Sequence, residues 1–157
     1  MLAAVPTPIG AGPEYRPRPA VHAACAPAPL GAGRRIHLEL FAHGRVVVVP
    51  AGIGVLGARR SVGRIVAARC RAHVWTLDPS GVVRFAADAR LADVFAVWGR
   101  ALGRTRLLGF RGDVRLYVNG VRRRGDPRSL ALRDRDEVVL QVGAYVPPHR
   151  SFRFPHY

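Results

Sequence analysis

Lysine is absent from this chain of 157 residues, and all 25 of its basic residues are arginines. Against 10 acidic residues they give a net charge of +15. A basic excess is typical of proteins that bind polyanions, although an Arg-only chain rich in Ala, Gly, Pro and Val is also typical of a GC-rich coding bias. The arginines are spread along the whole chain, and the only run of three is Arg122, Arg123 and Arg124. We interpret the distribution as a solvated basic surface, with this run as the candidate anion-binding site.

Long apolar runs are absent as well. The run at residues 46–49 is far shorter than the roughly 20 residues needed to cross a bilayer, so we predict no membrane span. Residues 1–9 lack the basic start and apolar stretch of a signal peptide. If the protein is exported, we therefore expect its signal to lie upstream of Met1.

Cysteine is scarce, with Cys25 and Cys70 as the only two. Their spacing excludes a CxxC redox pair, and two cysteines alone do not make a four-ligand zinc site. Two alternatives stay open, a disulfide between them or two free thiols, because the compartment decides which forms.

Catalytic motifs are also missing. None of the serines lies in a GxSxG elbow, and the glycines at 52 and 54 do not continue into a phosphate-binding pattern. Asp134, Asp136 and Glu137 cluster, but a charged turn before a strand explains them. We predict that the protein is not an enzyme and carries no cofactor.

Composition divides the chain into three parts. Residues 1–33 hold seven prolines without an apolar period and predict a flexible arm. Residues 34–146 predict one domain, and residues 147–157 an extended aromatic tail.

Alternating apolar residues within the domain predict β-hairpins. They are expected over residues 34–49 with a turn at Gly44, over 71–85 around Asp78-Pro79-Ser80-Gly81, and over 114–124 around Asn119-Gly120. A last strand is predicted at 137–142, and residues 51–63 predict a loop with at most one helical turn. Apolar residues at helical spacing predict one amphipathic helix over 90–102, capped by Asp88 and ended by Gly103. The fold class is therefore α+β, a small β-rich domain of six or seven strands with one helix.

Histidines offer the only hint of a metal site. His37, His43 and His73 are weak candidates that would approach one another if the first two hairpins pair. Histidines on strands and turns more often pack or meet solvent, so we predict no metal site.

Four segments resemble a family of uncharacterised bacterial domains, many of them exported. The likeness covers residues 34–143 and rests on His37-Leu38-Glu39-Leu40-Phe41, Val49-Pro50-Ala51-Gly52-Ile53-Gly54, Asp78-Pro79-Ser80-Gly81-Val82-Val83 and Val94-Phe95-Ala96-Val97-Trp98-Gly99.

Members of that family carry a His-x-His before the first strand and a Leu-His-Thr-His-Asp run before the Ser-Gly turn, a pattern that suits metal binding. Here Arg35 replaces the first histidine, and His37 keeps the second. Trp75 and Leu77, on either side of Thr76, occupy the positions of the two histidines in the His-Thr-His run of that family. Arg84 replaces a further histidine. The resemblance thus implies a scaffold whose family metal site is dismantled.

From these observations we expect a non-enzymatic binding or structural module, exported or of the cell envelope rather than cytoplasmic. An anionic polymer or an acidic protein is the expected partner. A basic nucleic-acid-binding protein and a vestigial metal-binding domain are the alternatives. A concave basic face with an exposed Trp75 or Tyr117 would favour nucleic acid.

Overall fold

A computed structural model describes residues 16–17 and 25–156, and it confirms the predicted α+β class. Thirteen strands and one α-helix lie within these residues. The strands are β1 (Arg34–Ala42), β2 (Arg45–Val47), β3 (Val55–Leu56), β4 (Arg59–Ser61), β5 (Arg64–Ala67), β6 (Cys70–Arg71), β7 (Val74–Trp75), β8 (Val82–Phe85), β9 (Arg106–Leu107), β10 (Phe110–Arg111), β11 (Val114–Val118), β12 (Val121–Arg123) and β13 (Glu137–Val142). The helix α1 is Leu91–Trp98, and a 3₁₀ turn follows at Pro127–Ser129.

Seven of the strands form one mixed sheet. Its order is β12-β11-β13-β1-β8-β7, and β2 also pairs with β1. The first and last strands, β1 and β13, lie side by side and parallel, whereas the other pairs in this sheet are antiparallel. This central pairing joins residues 100 positions apart in the chain, such as His37 and Glu137.

The three predicted hairpins are present. In the β11–β12 turn, Asn119 and Gly120 both have positive φ, at 53° and 82°. A two-residue turn of this kind matches the right-handed twist of the strands, and Asn-Gly is the pair that adopts it most readily. The residues chosen from the sequence therefore make the turn for the expected reason.

Three local predictions were wrong. The helix ends at Trp98 rather than near residue 102, because Gly99 adopts the left-handed conformation at φ 80° and its N–H turns back to Phe95. The helix begins after Arg90, whose backbone N–H donates to the Asp93 carboxylate at 2.6 Å, and Asp88 is not the cap. The expected loop at 51–63 contains β3 and β4.

Alternation along the strands gives the central sheet two different faces. One face is apolar and packs against α1 with residues such as Leu38, Leu40, Val138 and Leu140. The opposite face carries His37, Glu39 and Phe41 of β1. We call these the helix face and the polar face.

A separate small core lies in the segment between β2 and β8. Ala51, Ile65, Trp75 and Leu77 pack there with Leu30 from the N-terminal side. Cys25 and Cys70 form a disulfide, with Cα atoms 5.4 Å apart. Of the predicted arm, residues 25–33 thus lie against the domain, and residues 1–15 and 18–24 are outside the described part of the chain.

The helix α1 has eight residues. Within the described residues, no helix is long and apolar enough to span a membrane.

Candidate functional site

A cluster of one histidine and two glutamates lies at the centre of the polar face. Because β1 and β13 are parallel with His37 opposite Glu137, these two side chains project side by side. Glu39 lies two residues further along β1, and a period of two places it on the same face. The strand register therefore builds the cluster directly.

Short distances join the three side chains. His37 Nδ1 lies 2.7 Å from Glu137 Oε2 and 3.5 Å from Glu39 Oε1. His37 is buried and Glu137 is fully buried, at 0% exposure. The second carboxylate oxygen of Glu137, Oε1, is buried and accepts no hydrogen bond from the residues that the structure describes. An orphaned buried carboxylate oxygen is costly, so this atom calls for a physical account.

The turn at residues 78–81 fixes the other side of the imidazole. The Ser80 backbone carbonyl lies 2.9 Å from His37 Nε2. The Asp78 carboxylate accepts hydrogen bonds from both the N–H and the hydroxyl of Ser80, which holds the turn in shape. Gly81 has φ 90°, and a Cβ there would lie 2.7 Å from the Leu38 carbonyl and 3.0 Å from His37 Nε2. Only glycine lets the turn come this close.

Both nitrogens of the His37 ring face hydrogen-bond acceptors. Nε2 faces the Ser80 carbonyl and Nδ1 faces the Glu137 carboxylate, so the charged ring donates from both nitrogens. Burial alone lowers the pKa of His37, but the hydrogen bond and charge of Glu137, the Ser80 carbonyl and Glu39 outweigh it, and the net pKa is raised above 6.5. Burial raises the pKa of Glu137, and the neighbouring Glu39 adds to this while His37 opposes it. The protonation states of His37, Glu39 and Glu137 therefore depend on one another.

The C-terminal segment (residues 145–156) covers the cluster. The ring of Phe152 stacks on the His37 imidazole with centroids 3.6 Å apart and planes 3° from parallel. His149 Nδ1 lies 2.9 and 3.0 Å from the two oxygens of Glu39. The predicted extended tail is thus a cover over the polar face.

Both ends of this cover are tied to the sheet. At its start, the Gln141 side chain exchanges hydrogen bonds with the backbone of Val146. At its end, the Arg35 guanidinium donates to the Pro155 carbonyl at 2.5 Å and lies 5.2 Å from the Phe154 ring centroid. A small pocket opens beside Pro155, lined by Arg35, Arg64, Leu77, Asp78, Val82, Arg84 and Pro155.

The three candidate histidines do not come together. His43 lies in the exposed β1–β2 turn, six residues along the strand from His37, which is roughly 20 Å. His73 is exposed beside Asp93, with Nε2 3.7 Å from Oδ1. Of the residues that the structure describes, only His37, Glu39 and Glu137 group three such donors, all within 4.8 Å of one another.

Trp75 and Arg84 have structural roles in this chain. Trp75 is fully buried, donates from Nε1 to the Leu30 carbonyl and lies under the Arg71 guanidinium, 3.7 Å from its ring centroid. Arg84 is buried and donates to the carbonyls of Gly31 and Ala32. These contacts fasten the N-terminal segment to the domain.

The candidate anion-binding residues lie at an edge of the central sheet. Arg122 and Arg123 are on β12, which ends the sheet, and Arg124 follows directly. All three are exposed, and in the part of the chain that the structure covers none forms an ion pair with a carboxylate. The Arg122 guanidinium lies 5.6 Å from the Tyr117 ring centroid.

Sequence reasoning missed Glu39, Glu137, His149 and Phe152. Strand alternation could have placed Glu39 beside His37, since both lie on one face of β1. No sequence signal indicates that β13 pairs with β1, and only that pairing brings Glu137 to the site. The sequence predicted the tail only as extended and aromatic, without a target on the sheet.

Comparisons with family models, with curated proteins and with solved structures find no match to this chain. The site must therefore be understood from its own geometry.

Proposed function

We propose that this protein is a non-enzymatic binding module of an oxidising compartment, exported or in the cell envelope, that docks an acidic, extended segment of a partner protein along β12. The observation that carries this proposal is the edge position of three exposed arginines that have no carboxylate partner among the described residues.

The backbone of β12 supports docking of an extended segment. On one side β12 pairs with β11, and the described residues place no strand on its other side. An open strand edge offers N–H and C=O groups to an added strand, and side chains on that edge select its sequence. Arg122, Arg123 and Arg124 would select carboxylates.

Four carboxylates of the domain are engaged elsewhere. Asp126 binds Arg128, Asp78 binds Arg64, and Glu39 and Glu137 hold the histidine cluster. Charged residues at a strand edge also serve to prevent edge-to-edge association of identical sheets. A direct binding experiment distinguishes this role from docking of a partner.

The Cys25–Cys70 disulfide supports the oxidising compartment, because such bonds persist outside the reducing cytosol. Alkylation of the protein under non-reducing conditions directly from its native cells, followed by mass spectrometry, tests this part. We expect no alkylated cysteine. Two alkylated cysteines in the native protein would contradict an oxidising location.

Burial of the aromatic residues disfavours the nucleic-acid alternative. Trp75 is 0% exposed and Tyr117 is 9% exposed, so neither offers a free face on which a base could stack.

Fluorescence anisotropy with a labelled (Glu-Val)5 peptide tests the docking. We expect the triple variant Arg122→Gln, Arg123→Gln, Arg124→Gln to weaken binding at least tenfold. The matched control is Arg59→Gln, Arg60→Gln, Arg69→Gln, which removes the same charge at exposed positions on and near the β4–β5 hairpin and should change affinity less than threefold.

Two results would overturn the docking proposal. One is equal loss of binding in both triple variants, which would indicate a diffuse charge effect. The other is tighter binding of a 20-nucleotide single-stranded DNA than of the peptide at the same salt concentration, which would favour the nucleic-acid alternative.

A further inference from the structure

We infer that His37, Glu39 and Glu137 form a binding site for a divalent transition-metal ion, of which Zn²⁺ is the representative. The site lies beneath the C-terminal segment and is independent of the proposed docking edge.

The donor set suits such an ion. One imidazole nitrogen and two carboxylate groups are ligands that Zn²⁺ accepts at about 2.0–2.2 Å. Ligand atoms around one ion are then separated by about 3–4 Å. The observed separations from His37 Nδ1, 2.7 Å to Glu137 and 3.5 Å to Glu39, are close to this range.

The orphaned oxygen of Glu137 favours a cation as its partner. Among the described residues, none donates a hydrogen bond to Oε1 of this fully buried carboxylate, although the other oxygen contacts His37. Two carboxylates and one imidazolium sum to a net charge of −1 in a buried position, which is costly. A divalent ion with a neutral imidazole brings the sum to zero and supplies a partner for Oε1.

The imidazole is already oriented as a ligand. Metal-binding histidines typically donate their second ring N–H to a carbonyl or carboxylate, which fixes the tautomer. The Ser80 carbonyl does this for His37 Nε2 at 2.9 Å, which turns the Nδ1 lone pair of the neutral ring toward both glutamates. Phe152 covers the face of the ring, and a ligand bond in the ring plane avoids it.

The C-terminal segment also holds one of the proposed ligands in position. His149 contacts both oxygens of Glu39 and acts as a positioning residue for that carboxylate. Such outer partners typically contribute 10–100-fold to metal affinity.

Calorimetric titration of Zn²⁺ into the full-length, EDTA-treated chain without a histidine tag tests the inference, with Co²⁺ absorption as a second readout. We expect one ion per chain. Glu137→Gln and Glu39→Gln should each weaken binding at least a hundredfold, and His149→Gln about tenfold. His43→Gln and His73→Gln are the matched controls, which remove an exposed histidine outside the cluster and should leave affinity unchanged.

Folding of each variant is checked by circular dichroism and urea unfolding without metal. Glu39→Gln keeps the test decisive if Glu137→Gln unfolds, because Glu39 is only partly buried. Absence of stoichiometric Zn²⁺ uptake by the wild-type chain overturns the inference. Unchanged affinity in Glu39→Gln also overturns it. Neither result affects the peptide binding proposed at β12.

Discussion

The two faces of the central sheet are built by the same strands and have opposite characters. The helix face is an apolar core, continuous from β7 to β11, covered by α1. The polar face holds a histidine and two glutamates beneath a segment without regular secondary structure. The helix face therefore buries the larger apolar core, and the polar face buries a charged cluster beside a smaller apolar one.

The elements that cover the two faces, α1 and the C-terminal segment, also differ in how they are held. The helix contributes Leu91, Val94, Phe95 and Trp98 to the continuous core. The C-terminal segment is held instead by single contacts, including Phe152 on His37 and Arg35 on Pro155. A cover held by few contacts opens at a lower free-energy cost than a packed helix does.

Two adjacent valines of β13 provide the sharpest comparison. Val138 lies on the helix face and Val139 on the polar face, and both are 0% exposed. We expect Val138→Ala to lower the free energy of unfolding by roughly 2–3 kcal/mol, because the dense core cannot close the cavity. Val139→Ala should cost only about 1 kcal/mol, since the loosely held cover can settle into the space.

Urea unfolding of the two variants measures both values. Equal losses would show that the two covers pack alike and would remove the distinction between the faces.

The cover itself can be weakened at Phe152. We expect Phe152→Ala to lower the free energy of unfolding by about 1–1.5 kcal/mol, since it loses the parallel stack on His37 and some apolar burial. Hydrogen exchange should increase at residues 145–156, whereas α1 stays protected. Faster exchange in α1 as well would mean that the two faces unfold as one unit.

The smallest effect we predict is a dependence on pH in the metal-free protein. The pKa of His37 is raised above 6.5 by Glu137, the Ser80 carbonyl and Glu39, although burial acts against them. A raised histidine pKa gives stability that is complete below pH 6.5 and is lost as pH rises through the folded-state value. The raised pKa of Glu137 acts in the same direction, because the folded state again binds its proton more tightly.

We therefore expect the urea midpoint of wild type to fall more steeply than that of His37→Gln as the pH rises above 6.5. His73→Gln, which removes a histidine outside the cluster, should keep the wild-type slope. An equal pH dependence of the urea midpoint in wild type and His37→Gln would contradict the ion pair between His37 and Glu137.

Sequence patterns predicted the local structure better than the long-range structure. Asn119-Gly120 and Asp78-Pro79-Ser80-Gly81 identified their hairpins because turn geometry depends on neighbouring residues. Gly99 rather than Gly103 ended the helix, since either glycine can adopt the left-handed conformation and the sequence does not say which one does. The pairing of β1 with β13 depends on packing across the whole domain, so Glu137 could not be placed beside His37 in advance.

The central claim is that the turn at Ser80 holds His37 with Nε2 protonated and Nδ1 turned toward Glu39 and Glu137. Nitrogen-15 NMR of the His37 ring in the metal-free protein, at a pH below 6.5, measures this directly. We predict a charged ring with protons on both nitrogens, because Nε2 faces the Ser80 carbonyl and Nδ1 faces the Glu137 carboxylate. A neutral ring with a single proton at this pH would contradict the site as described.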